Sequence, residues 1–134
     1  MVAVGHATLD LDQAVAQPNI GNAADEPLLG ARCRIVYSTT GPWVLLLEPS
    51  TEGRLAASLA RYGQVPVAEY LTIATHDETT VAAASAGIAL SPPAVGPLGN
   101  ERLVLGNRPW GPHLILLEED PRGAPQPPAA TIRR

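Results

Sequence analysis

The feature that most constrains this chain is its resemblance to itself. Residues 31–49 lie without a gap on residues 101–119 at an offset of 70, and six of the nineteen pairs are identical: Arg32/Arg102, Gly41/Gly111, Pro42/Pro112, Leu46/Leu116, Leu47/Leu117 and Glu48/Glu118. The strand openings also correspond, His6-Ala7-Thr8-Leu9 on Tyr70-Leu71-Thr72-Ile73, at an offset of 64, so the first half is six residues shorter between its first strand and its hairpin. Two long copies are too few for a solenoid, which stacks more and shorter units. They predict an α+β fold of two βαβββ modules, whose curved mixed sheets surround a central cavity.

Local signals fit that plan. Residues 4–11 read as a strand, Asp12–Ala16 as the cap and first turn of a short helix, and 17–30 as a loop with a brief edge strand near Ile20. Strands 31–38 and 42–48 flank a Ser38–Gly41 turn and make a hairpin. Leu55, Leu59 and Tyr62 are spaced for a helix over 51–62, with Gly63 placed to stop it. The second half repeats the order: strand 69–75, helix Asp77–Ala86 begun by an Asp cap, short strand 88–91, a Pro/Gly loop over 92–100 and a last hairpin. One domain over 1–119 is expected, with modules of about 4–49 and 68–119. Residues 120–134 are rich in Pro, Gly and Ala, and are expected to form a disordered tail.

At 134 residues and 46% hydrophobic, the chain can bury a sizeable core, yet it has no Phe and few aromatics, so any aromatic near a cavity stands out. The net charge of −4 and the absence of a basic run argue against a nucleic-acid partner. Cys33 is a lone cysteine in an apolar stretch, read as a buried thiol. No signal-peptide pattern and no apolar run near ~20 residues is present, which predicts a cytoplasmic protein without a membrane span.

The segment Leu45-Leu46-Leu47-Glu48-Pro49, followed by a helix ending in Arg61-Tyr62-Gly63 and then a strand, resembles the vicinal oxygen chelate (glyoxalase/bleomycin-resistance/dioxygenase) superfamily, and within it the methylmalonyl-CoA epimerases. The resemblance covers most of residues 4–119. It implies four metal ligands, one on the first and one on the last strand of each module. Those positions fall on His6, Leu45, Tyr70 and Ile115. Two aliphatic side chains cannot ligate a divalent ion, so neither metal nor other cofactor is expected. A displaced site from His6 and His113 with Asp10 or Glu48 is the alternative.

Alternation along the strands groups His6, Thr8 and Asp10; Trp43, Leu45 and Leu47; Tyr70 and Thr72; and His113, Ile115 and Leu117. With Trp110 they form an expected apolar, aromatic lining with a few polar handles, in which His6, Thr8, Trp43, Leu45, Leu47, Tyr70, Thr72, Trp110, His113 and Ile115 bind a ligand. His76 reads as a solvated loop residue. Two functions fit. One is a metal-independent module that sequesters a hydrophobic or aromatic natural product or antibiotic, as in self-resistance. The other is an enzyme: a metal-independent isomerase, lyase or cyclase of secondary metabolism using His6 with Asp10 or Glu48, or an epimerase-like enzyme. The partners expected are a small molecule and a second copy in a homodimer.

Overall fold

The computed structural model describes residues 1–16, 19–50, 55–56, 60–61, 63, 65–105 and 112–119, with backbone alone over 14–16. The expectations for Trp110, for the tail 120–134 and for most of the linking helix lie outside these residues. Leu55, Ala56, Ala60 and Arg61 are helical.

Eight strands form one mixed sheet: β1 (Ala3–Ala7), β2 (Ala24–Glu26), β3 (Ala31–Val36), β4 (Trp43–Pro49), β5 (Pro66–Ile73), β6 (Ala94–Gly96), β7 (Gly99–Leu103) and β8 (His113–Glu118). Their order is β2-β3-β4-β1-β5-β8-β7-β6, symmetric about an antiparallel β1–β5 contact, with β1–β4 and β5–β8 parallel and the remaining pairs antiparallel. Period-two burial along β1, β3 and β8 gives the sheet one buried and one half-exposed face. Ala3, Ala7, Cys33, Leu45, Leu47, Tyr70, Ile115 and Leu117 fill the buried face. A register shift opposite Gly5 and His6 places both Val67 and Ala68 inside, a β-bulge at the start of β5.

Two short strands lie where breakers predicted loops, β2 within 17–30 and β6 within 92–100, and β7 begins inside the second of these stretches. Each is the short arm of a local hairpin with the next strand, β2 with β3 and β6 with β7, and three residues among breakers are too few to show alternation. Ile20 and Leu90 make single bridges to Val36 and Val104. Helix α1 (His76–Ala86) begins one residue before the expected Asp77: Thr75 is the N-cap, and its hydroxyl accepts a hydrogen bond from the Glu78 amide at 3.0 Å. Gly87, at φ 73°, ends the helix in a left-handed cap. Asp10 rather than Asp12 precedes the 3₁₀ helix Leu11–Ala16 and accepts from the Asp12 amide at 3.0 Å. Among the described residues no helix is long and apolar enough to cross a membrane.

The pairings refine the internal correspondence. Ile35 pairs with Leu45 and Leu103 with Ile115, so β4 maps on β8 at 70 positions while β3 maps on β7 at 68. The Arg34 guanidinium donates to the Gly21 carbonyl at 3.0 Å, and the Arg102 guanidinium to the Ser91 carbonyl at 2.8 Å. Arg34, not Arg32, is therefore the counterpart of Arg102. On β1 and β5 the pairs Ala3↔Tyr70 and Gly5↔Ala68 exchange under the same symmetry. The counterpart of Tyr70 is Gly5, one residue from the expected His6, and a shift of one moves a side chain to the other face.

Candidate functional site

Glu26 on β2, at one end of the sheet, lies beside Glu101 on β7, near the other end, and Glu26 meets Tyr70 of the central strand β5. Side chains from both ends meet only if the sheet curls around them, so the buried face is the concave one. All three residues are fully enclosed, at 0% exposure. The Tyr70 hydroxyl donates to Glu26 Oε1 at 2.8 Å. The Glu101 carboxyl neighbours that of Glu26, and Glu26 Oε2 and both Glu101 oxygens receive no hydrogen bond from any other described group, so the two carboxyls can bond only by sharing a proton. A Cβ at Gly96 would collide with the Glu101 carboxyl, so the glycine is the space into which this acid fits.

Burial governs the protonation of the cluster. Desolvation, together with the hydrogen bond and charge of Glu26, pushes the Glu101 carboxyl up to about 10. Glu26 is also raised by burial, opposed by the neighbouring Glu101 carboxyl, the Tyr70 hydroxyl that donates to it and the nearby Leu28 backbone. Burial and the neighbouring Glu26 hold the Tyr70 hydroxyl well above its usual range. Cys33 is pushed up to about 12 by burial and then by Glu26 and Glu101, so its thiol is not a nucleophile near neutral pH. The centre holds an acid that keeps its proton, a second carboxyl that shares it and a phenol that orients the second.

Comparison with known proteins bears on the fold. No family model matches the sequence, and no curated protein is similar to it in sequence. Solved structures do match. The methylmalonyl-CoA epimerase of Mycobacterium tuberculosis superposes with a TM-score of 0.74 at 18% identity, over 90% of this chain and 87% of that one. A variant of the Streptomyces coelicolor methylmalonyl-CoA epimerase in complex with 2-nitronate-propionyl-CoA gives 0.69 at 18% identity, over 93% and 96%. A hypothetical protein from Bacillus halodurans gives 0.69 at 15% identity, over 88% and 92%. The chain has the methylmalonyl-CoA epimerase fold.

On this epimerase fold the expected site residues divide sharply. Leu45, Leu47, Tyr70, His113 and Ile115 share the concave face and are buried. His6 does not: its parallel partner is Leu46, so it lies with Val4, Val44 and Leu46 on the opposite, half-exposed face. His113 pairs with Ala68, itself the partner of Gly5, and so faces away from His6. The displaced His6–His113 site is thereby overturned. Asp10 is exposed and caps the 3₁₀ helix, and Glu48 pairs with Arg32 on the outer face, so the proposed trio of His6, Asp10 and Glu48 does not meet on the concave face. Thr8 follows β1, its amide bonded to the Leu47 carbonyl at 2.8 Å, and Thr72 is exposed. Trp43 is half-buried, its ring edge-on to Tyr37 and its indole N–H given to the Ser38 carbonyl at 3.1 Å. That ring braces the β3–β4 hairpin. His76 is buried, its amide donating to Glu118 Oε2 at 3.0 Å and its Nε2 lying 3.2 Å from the Asn100 carbonyl.

The resemblance places metal ligands at His6, Leu45, Tyr70 and Ile115, and the strand register replaces His6 on the concave face by Gly5. Two of these side chains are aliphatic and one is absent, so they do not fit a divalent ion. Among the described residues no group of three or more His, Cys, Asp or Glu is arranged to hold a metal.

Proposed function

We propose that the chain is a metal-independent isomerase of the epimerase type, moving a proton at a carbon beside a carbonyl, with Glu26, Glu101 and Tyr70 as its working groups. The observation that carries this reading is the carboxyl–carboxyl–phenol cluster at the centre of an epimerase fold whose concave face is, apart from His113, lined mainly by apolar side chains. Pairs of titratable groups driven to different protonation states divide acid and base duties between them. A planar enolate inserted between the carboxyls would meet Glu26 from β2 and Glu101 from β7. Glu26, as carboxylate, takes the proton as the C–H bond breaks, and the electron pair moves to the carbonyl oxygen. Glu101, as acid, returns a proton to carbon from the opposite side, leaving the two carboxyls with their protonation exchanged.

The finer architecture belongs to the same proposal: two βαβββ modules, each supplying one acid to a shared interior. Sequestration of an aromatic natural product has less support, because Trp43 is engaged in its hairpin and the Tyr70 hydroxyl is bound to Glu26. The test is hydrogen exchange in D₂O on acyl-CoA thioesters with one acidic Cα–H, read by mass spectrometry. Exchange should fall by about 10²–10⁴-fold in Glu26→Gln and in Glu101→Gln. Thioesters recovered unlabelled, or exchange that survives both substitutions, would overturn the reading.

A further inference from the structure

Charge is distributed unevenly between the faces of the sheet. Each strand-borne Arg among the described residues points away from the concave side: Arg32 pairs with Glu48, Arg34 with Leu46 and Arg102 with Leu116, partners that are half-buried on the outer face. Arg34 and Arg102 are also tied to loop carbonyls there. The only basic side chain of the described strands on the concave face is His113. Against it stand two enclosed carboxyls, and neither Glu101 oxygen accepts a hydrogen bond from a backbone amide or a basic group. Glu101 is aimed at the centre with no basic partner among the described residues, so it stays uncharged only by keeping its proton.

We infer that the reacting end of this chain's ligand carries no carboxylate, and that the interior selects an uncharged acyl group over a free acid such as methylmalonyl. An incoming carboxylate would lose its hydration beside two enclosed carboxyls, with no guanidinium of the described strands to receive it. An uncharged ketone or thioester oxygen loses far less on transfer to the same place, and accepts a hydrogen bond from whichever carboxyl holds the proton. Like-charge juxtaposition is a common means of rejecting a competing ligand. The inference rests on the concave face being the working site, and it concerns what enters that face rather than what is done there.

The experiment uses a matched pair of probes, 2-methylacetoacetyl-CoA and methylmalonyl-CoA, which differ in having a ketone or a carboxylate beside the same carbon and share the CoA moiety. Binding to the wild-type chain is measured by calorimetry, and exchange of the Cα–H in D₂O separately. The neutral probe should bind at least about tenfold more tightly, a gap of at least one power of ten in Kd. Its preference should shrink in Glu26→Gln/Glu101→Gln, where the repelling charge is gone. Equal or tighter binding of methylmalonyl-CoA overturns the inference, as does binding of neither probe. Binding of the neutral probe without exchange upholds the selectivity while sinking the proton-transfer reading, so the two fail separately.

Discussion

Glu101 ties the stability of the fold to pH. Its carboxyl titrates at about 10 in the folded chain, against an ordinary value of 4.5. The folded state therefore binds this proton more tightly than the unfolded state, and the linked stability is complete below the unfolded value and is lost as pH rises toward 10. Glu26 is shifted in the same direction. Urea midpoints taken from pH 5 to 9.5 should fall steadily for the wild type, while Glu101→Gln, which keeps a hydrogen-bonding group but cannot ionise, should flatten the slope. A wild-type midpoint that rises over this range, or an unaltered slope in the variant, would contradict the shared-proton picture. Part of this site was legible in the sequence. Strand alternation and the hairpin glycine offsets put Leu45, Tyr70 and Ile115 on the inner face. The two acids were not, because Glu26 sits among breakers between Gly21 and Gly30, and the gapless alignment set Glu101 on Ala31. The overlooked signal was the alternation of Glu101 with Leu103 around Arg102, which places an acid on an apolar face.

Strand β1 shows how much depends on a single step of register. Gly5, not His6, points inward, and a Cβ there would stand 2.7 Å from Leu47 Cδ1 and 3.0 Å from Ala68 Cβ, too close for the packed junction of β1, β4 and β5. Gly5→Ala should cost about 1–3 kcal/mol through overpacking, whereas His6→Ala, on the half-exposed face, should cost within about 0.5 kcal/mol. Denaturant melts of the two variants discriminate the registers directly, and the reverse ranking would put His6 inside. Sequence alone chose His6 because a lone imidazole draws attention and a glycine does not. Helix α1, by contrast, was readable to within a residue, since Thr75-His76-Asp77-Glu78 carries a capping pattern and Gly87 a stop. The short strands β2 and β6 were not, since three-residue strands depend on the neighbour they pair with.

For the whole molecule, the exposed surface speaks to assembly. Helix α1 buries only His76 and Ala83, leaving Val81 at 69% exposure, and Val95 on the edge strand β6 is 76% exposed. Unpaired edges and uncovered apolar groups favour self-association, and we propose a homodimer formed on this side. Light scattering at micromolar concentration should give about twice the 14.0 kDa chain mass, and Val81→Glu with Val95→Glu should return the single-chain mass. A wild-type protein that scatters as one chain would refute the proposal.

The fit of Glu101 into the space over Gly96 also constrains how the chain can be engineered. The counterpart of Gly96 in the first half is Glu26, and that of Glu101 is Cys33, so neither half can be copied over the other without losing the room or the acid. The two positions are coupled: a side chain at 96 would require the Glu101 carboxyl to leave its present place. In a library randomised at 96 and 101 and selected for stable folding alone, bulk at 96 should therefore accompany a smaller residue at 101.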